Sequence, residues 1–369
     1  MGGLSSALLL VIFLAAAGVI WGAGVVLSDA TDVLSRRLRL GQALSGAILL
    51  AVATNLPEIA ITTSAALAHH VDVAVGNILG GIAIQTAVLA LLDAVGVRPR
   101  RPLTRLAASP TLLIECALVV ALLLVVVMAA QLPGSVIVAR LTPGVVLIGL
   151  LWIAGLLLVR RARRGLPGPG GGAADAGQPD AGDGGGGGDG QPDAGNGNGD
   201  AGTPAKRARL ARMGTRRAAL IFVVGAAATL AAGVLAAVSG QELFGRLGMS
   251  GVVFGATVLA AVTALPEVTT GLASTRLGDY RLAVSDILGG NAFLPVLFLL
   301  ATVLSGEAVL PRAHPTDIYL TALGGLLTIV YLVGLVFRPQ RQWLRMGPDS
   351  IAVLVLYTVG VAGLLLVPS

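Results

Sequence analysis

The chain alternates long apolar runs with short, Arg-rich connections, and the runs share a length that a bilayer dictates. Segments near residues 4–27, 42–68, 72–95, 107–130, 143–159, 218–239, 250–275, 282–305, 316–337 and 350–367 are poor in charge, and about 17–25 such residues in helical form cross a hydrocarbon core. Because lipid offers no hydrogen bonds to the backbone, each run is expected to satisfy its own as a helix. The pattern therefore predicts an all-α membrane protein with ten transmembrane helices, five on each side of a polar interruption. No basic segment precedes the first run, which reads as a true membrane helix rather than a cleaved signal.

The interruption divides the chain into a first transmembrane repeat, residues 1–164, a linker, 165–205, and a second repeat, 206–369. Gly, Ala, Pro and Asp dominate the linker, which has nothing to bury and reads as a disordered tether. Its aspartates lack the aliphatic residues that calcium-binding nonapeptide repeats need.

Charge fixes the expected orientation. With the N-terminus outside, 22 of the 25 Lys and Arg residues fall in inner loops, and Arg140, Arg246 and Arg312 remain outside, as the positive-inside rule requires. Both termini are then extracytoplasmic and the linker cytoplasmic, in a multi-pass protein of the plasma membrane. Hydrophobic residues make up 55% of the chain and mean hydropathy is +0.88, which excludes an ordinary soluble domain. The formal charge of +6 follows from the loop bias and suits anionic lipid, so the expected partners are the bilayer and small cations, with no nucleic acid. The single Cys116 excludes an intrachain disulfide and a thiolate metal cluster.

Within the apolar runs one polar segment occurs twice. Thr54-Asn55-Leu56-Pro57-Glu58 is followed by Ile78-Leu79-Gly80-Gly81, and Thr263-Ala264-Leu265-Pro266-Glu267 by Ile287-Leu288-Gly289-Gly290, with a constant displacement of 209 residues. An odd number of spans separates the copies, so they are expected to enter the membrane from opposite sides as inverted repeats. Such symmetry underlies many alternating-access transporters.

Each copy sets a proline and a carboxylate at membrane depth, where charge is costly. Proline deprives a helix of one donor and frees a carbonyl four residues earlier, here those of Ala53 and Val262, so helices 2 and 7 are expected to be broken. Glycine pairs in polar surroundings extend that expectation to helices 3 and 8. The candidate ligands are the carboxylates of Glu58 and Glu267, assigned as direct metal ligands, with Thr54, Thr263, Asn55, Asn77, Gln85 and Asp286 as further oxygen donors. Carboxylate, hydroxyl and carbonyl oxygens suit hard cations such as Ca²⁺ and Na⁺. Glu115 reads as a helix-pairing or snorkelling residue, and His69 and His70 as solvated loop residues. The spans contain no zinc-protease, paired-aspartate or Ser/His arrangement, which points away from an enzyme.

The two segments resemble the α-repeats of the calcium/cation antiporter superfamily, which includes sodium/calcium and proton/calcium exchangers and typically reads G-T-S-x-P-E, then G-N-x-x-G-S-N-x-x-N. Here the copies read A-T-N-L-P-E with G-N-I-L-G-G-I-A-I-Q, and V-T-A-L-P-E with S-D-I-L-G-G-N-A-F-L. The resemblance places the family's central glutamates at Glu58 and Glu267 and its threonines at Thr54 and Thr263. Family serines are replaced by Asn55, Ala264, Gly81 and Gly290, and the last polar positions by Gln85 and Leu294. It implies a monomeric secondary antiporter that needs no cofactor and exchanges Ca²⁺ for Na⁺ by alternating access. Because the replaced oxygens thin the sodium ligand set, H⁺ stands as the alternative counter-ion, and a relative of altered ion selectivity as another.

Overall fold

The computed structural model describes residues 3–37, 54–97, 101–165 and 214–367. Among these the fold is helical throughout, with two isolated β-bridges and no strand. The linker, apart from Gly165, lies outside the described residues, as do residues 42–53 of the second expected span.

In chain order the first half contains α1 (Ser6–Arg37), α2 (Leu56–Leu67), α3 (Val71–Leu91, ending in a π-turn, Leu92–Gly96), the short α4 (Leu103–Ala107), α5 (Pro110–Ala130) and α6 (Pro143–Gly165). The second half contains α7 (Thr215–Gly245), α8 (residues 251–263, with a π-turn at Gly255–Leu259), α9 (Leu265–Arg276), α10 (Tyr280–Phe293), α11 (Leu297–Ser305), α12 (Pro315–Phe337) and α13 (Pro348–Leu364). Seven of the described helices are long and apolar enough to cross a membrane, and the bent pair α8–α9 makes an eighth. α2 and α13 are apolar but shorter, at 12 and 17 residues.

The repeat is visible in backbone conformation. Asn55 (φ −92°, ψ 17°) precedes α2, and its counterpart Ala264 (φ −79°, ψ −3°) precedes α9. Both lie near the bridge region, which turns the chain without a positive φ. Each following helix begins Leu-Pro-Glu, so the proline falls in the first turn, where its missing N–H leaves no helical bond unmade. At Ala264 the axis bends by 41°. Farther along, Ala139-Arg140 and Leu344-Arg345 form matching left-handed turns before α6 and α13.

The third helix departs from expectation. α3 runs unbroken through Gly80-Gly81, because the glycines keep their helical bonds and serve close packing instead. A methyl group at Gly80 would overlap the Ala256 backbone, and one at Gly76 would lie 2.9 Å from Val252 Cα, so the two positions let α8 lie directly on α3. In the second half the chain also stays helical through Gly289-Gly290, tightening to a 3₁₀ turn at Leu294–Val296, around Pro295.

α3 and α10 occupy the interior, with α5, α12 and α13 around them, while α1 and α7 pair along their length. The outer faces of α1, α6 and α7 expose Val11, Leu14, Leu150, Leu157, Val223 and Val224, which suits contact with lipid. A reciprocal contact ties the halves together. Gly24 of α1 admits Pro266, whose Cγ would lie 2.7 Å from an added methyl, and Gly233 of α7 admits Pro57, whose carbonyl would lie at 3.2 Å. The two glycines are themselves 209 residues apart.

Candidate cation site

The first turns of α2 and α9 carry Glu58 and Glu267 into the interior, where they are 0% and 3% exposed. They stand close enough for their charges to interact. Gln85, fully buried on α3, donates from Nε2 to Glu58 Oε1 at 3.5 Å, and the Thr263 hydroxyl adjoins the same carboxylate. Thr263 also donates to the Ala260 carbonyl at 3.2 Å. Asn55 and Thr54 are buried beside the α2 turn, 3.4 Å apart from Nδ2 to Oγ1. A methyl at Gly290 would stand 3.4 Å from Asn55 Nδ2 and 3.5 Å from Gln85 Oε1, so α10 brings its backbone against both amides.

Asp286, half-buried on α10, accepts from Thr270 Oγ1 at 3.3 Å and is an electrostatic neighbour of Glu267. Asn77 is buried but makes no side-chain hydrogen bond. It lies eight residues before Gln85, about 12 Å along the helix axis, with its backbone against Gly255 of α8. The structure thus joins Glu58, Gln85, Thr263, Asn55, Glu267 and Asp286, while Asn77 lies about two turns along α3 from Gln85.

Several buried oxygens in this region, Glu58 Oε2, Glu267 Oε2, Gln85 Oε1 and Asn291 Oδ1, have no hydrogen-bond donor. Unpaired buried acceptors are costly, and a hard cation is a natural counterpart for them. Among the described residues no group of three or more His, Cys, Asp or Glu side chains stands ready to hold a metal; the acidic groups of the site are the glutamate pair, with Asp286 beside Glu267.

Leu294 is fully buried, and its Cδ1 would lie 3.1 Å from a methyl at Gly81. The two positions that replace polar family residues therefore pack against each other, carbon filling the space left by the missing side chain. Glu115 accepts from Ser285 at 2.9 Å and pairs α5 with α10, as its place in the sequence suggests. His69 lies exposed beside Glu307 at 3.3 Å.

Three site neighbours escaped the sequence reading. Thr86 accepts from Asn291 at 3.0 Å, Thr270 orients Asp286, and Thr62 is buried one turn beyond Glu58. The spacing of Thr270, three residues from Glu267, and of Thr62, four from Glu58, offered a signal, since i+3 and i+4 positions share a helix face; Thr86, adjacent to Gln85, had no such signal.

A sequence model for the family described as Sodium/calcium exchanger protein matches residues 8–159 and 218–366, and the chain belongs to that family. The inner membrane protein YrbG of Escherichia coli (strain K12) is 26% identical over 336 residues, covering 90% of this chain and 87% of YrbG. Among solved structures, the sodium-calcium exchanger NCX_Mj superposes with a TM-score of 0.57 at 16% identity, covering 97% of this chain and 99% of its own. The H⁺/Ca²⁺ exchanger CAX gives 0.67 at 14% identity, covering 98% and 82%. At these identities the two structures establish a shared fold. The chain is accordingly a membrane protein of the calcium/cation antiporter superfamily.

Proposed function

We propose that this protein is a secondary antiporter that carries Ca²⁺ across the plasma membrane in exchange for Na⁺, with Glu58 and Glu267 as the charged ligands. The observation that carries the reading is the pairing of these two buried carboxylates, one from each repeat, each with an oxygen that lacks a donor. Two carboxylates neutralise one divalent ion; after its release, monovalent ions must take its place, because uncompensated charge in a membrane interior is costly. The remaining ligands are drawn from Thr54, Thr263, Asn55, Gln85 and Asp286. Matching turns at Asn55 and Ala264 support a repeat axis through the site, and inverted halves of five spans each would expose it alternately to the two sides.

A second reading has its own support. The packing of Leu294 against Gly81 removes oxygen from one flank and favours H⁺ over Na⁺ as counter-ion. Reconstituted protein under an outward Na⁺ gradient at fixed pH should take up Ca²⁺, whereas an outward H⁺ gradient without Na⁺ should not. Uptake driven by H⁺ alone would reverse the assignment, and no Ca²⁺ uptake under either gradient would reject calcium as substrate.

The orientation proposed here has both termini outside and the linker in the cytoplasm. A cysteine introduced at His70 should react with an impermeant thiol reagent from outside, and one at Arg100 only after permeabilisation. Labelling of both from one side would overturn this topology and, with it, the inversion.

A further inference from the structure

A second pair of buried acids lies away from the glutamates, where the end of α3 meets the start of α13. Asp93, in the π-turn that closes α3, is fully buried. Its Oδ1 accepts from the Leu103 amide at 2.7 Å, and its Oδ2 accepts from the Gly347 amide and the Ser350 hydroxyl, each at 2.7 Å. Three donors, two of them at the starts of α4 and α13, occupy both of its oxygens as acceptors. Asp93 is fully explained as a clamp between helices.

Asp349 is not. It is 8% exposed, and neither of its carboxyl oxygens has a well-formed hydrogen bond, although the Thr104 hydroxyl and the first amides of α13 lie beside them. Its side chain lies flat on α12, where a methyl at Gly334 would stand 2.8 Å from Asp349 Cβ, and its other edge abuts Gly347. The hydroxyls of Thr104, beside the Asp349 carboxyl, and of Tyr331 belong to fully buried residues, and that of Tyr331 has no partner. The titratable groups that face this pocket are Asp93 from α3, Cys116 from α5 and Tyr331 from α12. From α4, Arg105 is directed at the Arg338 carbonyl, 3.4 Å away, and among the described residues no cationic side chain forms an ion pair with either aspartate.

We infer that Asp349, enclosed by Asp93, Tyr331 and Thr104, is a proton-binding site separate from the transport site. Two adjacent buried carboxylates without a cation are strongly unfavourable when both are ionised. Since Asp93 is committed as an acceptor, the proton resides on Asp349, whose O–H can donate to a neighbouring oxygen. Contact with two glycine backbones leaves little room for a hydrated metal ion. The pair lies at the foot of the helix that carries Gln85, eight residues away, so loss of the proton would place a second charge against the clamp that fixes that helix.

Infrared difference spectroscopy of the membrane-reconstituted full chain tests this without recourse to transport. The wild type should show a protonated-carboxyl C=O band that is lost on alkaline titration and is absent from Asp349→Asn. The same band should persist in the Glu58→Gln/Glu267→Gln protein, which separates this site from the proposed transport site. Tyr331→Phe, which deletes a single hydroxyl, should shift the band and provides a second handle if Asp349→Asn fails to insert. Spectra unchanged by both substitutions at the aspartate and the tyrosine would overturn the assignment. Loss of the band on adding Na⁺ at constant pH would also overturn it, by making the ligand a metal cation.

Discussion

Glu58→Gln and Glu267→Gln are each expected to abolish cation-coupled flux while leaving the protein inserted and folded. Attraction between a carboxylate and each unit of ion charge, about 4 Å away at an effective dielectric near 20, amounts to about 4 kcal/mol. A divalent ion carries two such units, so losing one carboxylate removes about 8 kcal/mol of attraction and should weaken divalent binding by up to about a millionfold. Glutamine retains the size and one oxygen, so the helix turns at Asn55 and Ala264 need not rearrange. Folding should survive because a neutral side chain removes the cost of holding a charge in the membrane. Gln85 provides an internal check: it donates to Glu58 and can donate equally to the amide oxygen of glutamine. Isotope uptake and the melting temperature in detergent, measured on the same preparations, distinguish lost binding from lost structure. Wild-type uptake by both variants would remove the glutamates from the site.

The second large effect is one of packing. Gly80→Ala should severely destabilise the protein, whereas Gly289→Ala, at the equivalent position of the other repeat, should be neutral or mildly stabilising. A methyl at Gly80 would collide with the Cα and carbonyl of Ala256, which are backbone and cannot rotate aside, while one at Gly289 would meet nothing within 4 Å. Overpacking a close-packed interior costs about 1–3 kcal/mol, occasionally more, and a backbone-to-backbone collision belongs at the upper end. Replacing glycine by alanine inside an unobstructed helix gains up to about 1 kcal/mol. Thermal unfolding in detergent should therefore separate the two alanine variants clearly. Equal melting temperatures would mean that α3 and α8 are not in the contact described.

Much of this was legible in the sequence because the signals are local. The proline of Leu-Pro-Glu signals a break in an apolar run, and repetition at a fixed displacement marks it as a paired feature. The glycine pairs were equally visible, but their consequence was not. Glycine permits either a break or a close approach, and the choice depends on whether another helix arrives, as α8 does at Gly80 and as no neighbour does at Gly289. Contacts between distant segments were also hidden. Gln85 was assigned to the site of Glu58, but its direct bond to that carboxylate required the fold, and Asp93 and Ser350 are 257 residues apart in sequence. Leu294 was legible as the loss of an oxygen, whereas its burial against Gly81 required the fold.

The crossed seating of Gly24 on Pro266 and Gly233 on Pro57 bears on what counts as a unit in this molecule. Each half carries the proline turn that positions its own glutamate, but the surface that receives that turn is supplied by the first long helix of the opposite half. A half-length chain would leave its proline face without a seat and its seating glycine without a proline. The boundary between the halves in sequence is not one in packing: the smallest body able to hold one complete proline turn already contains parts of both halves.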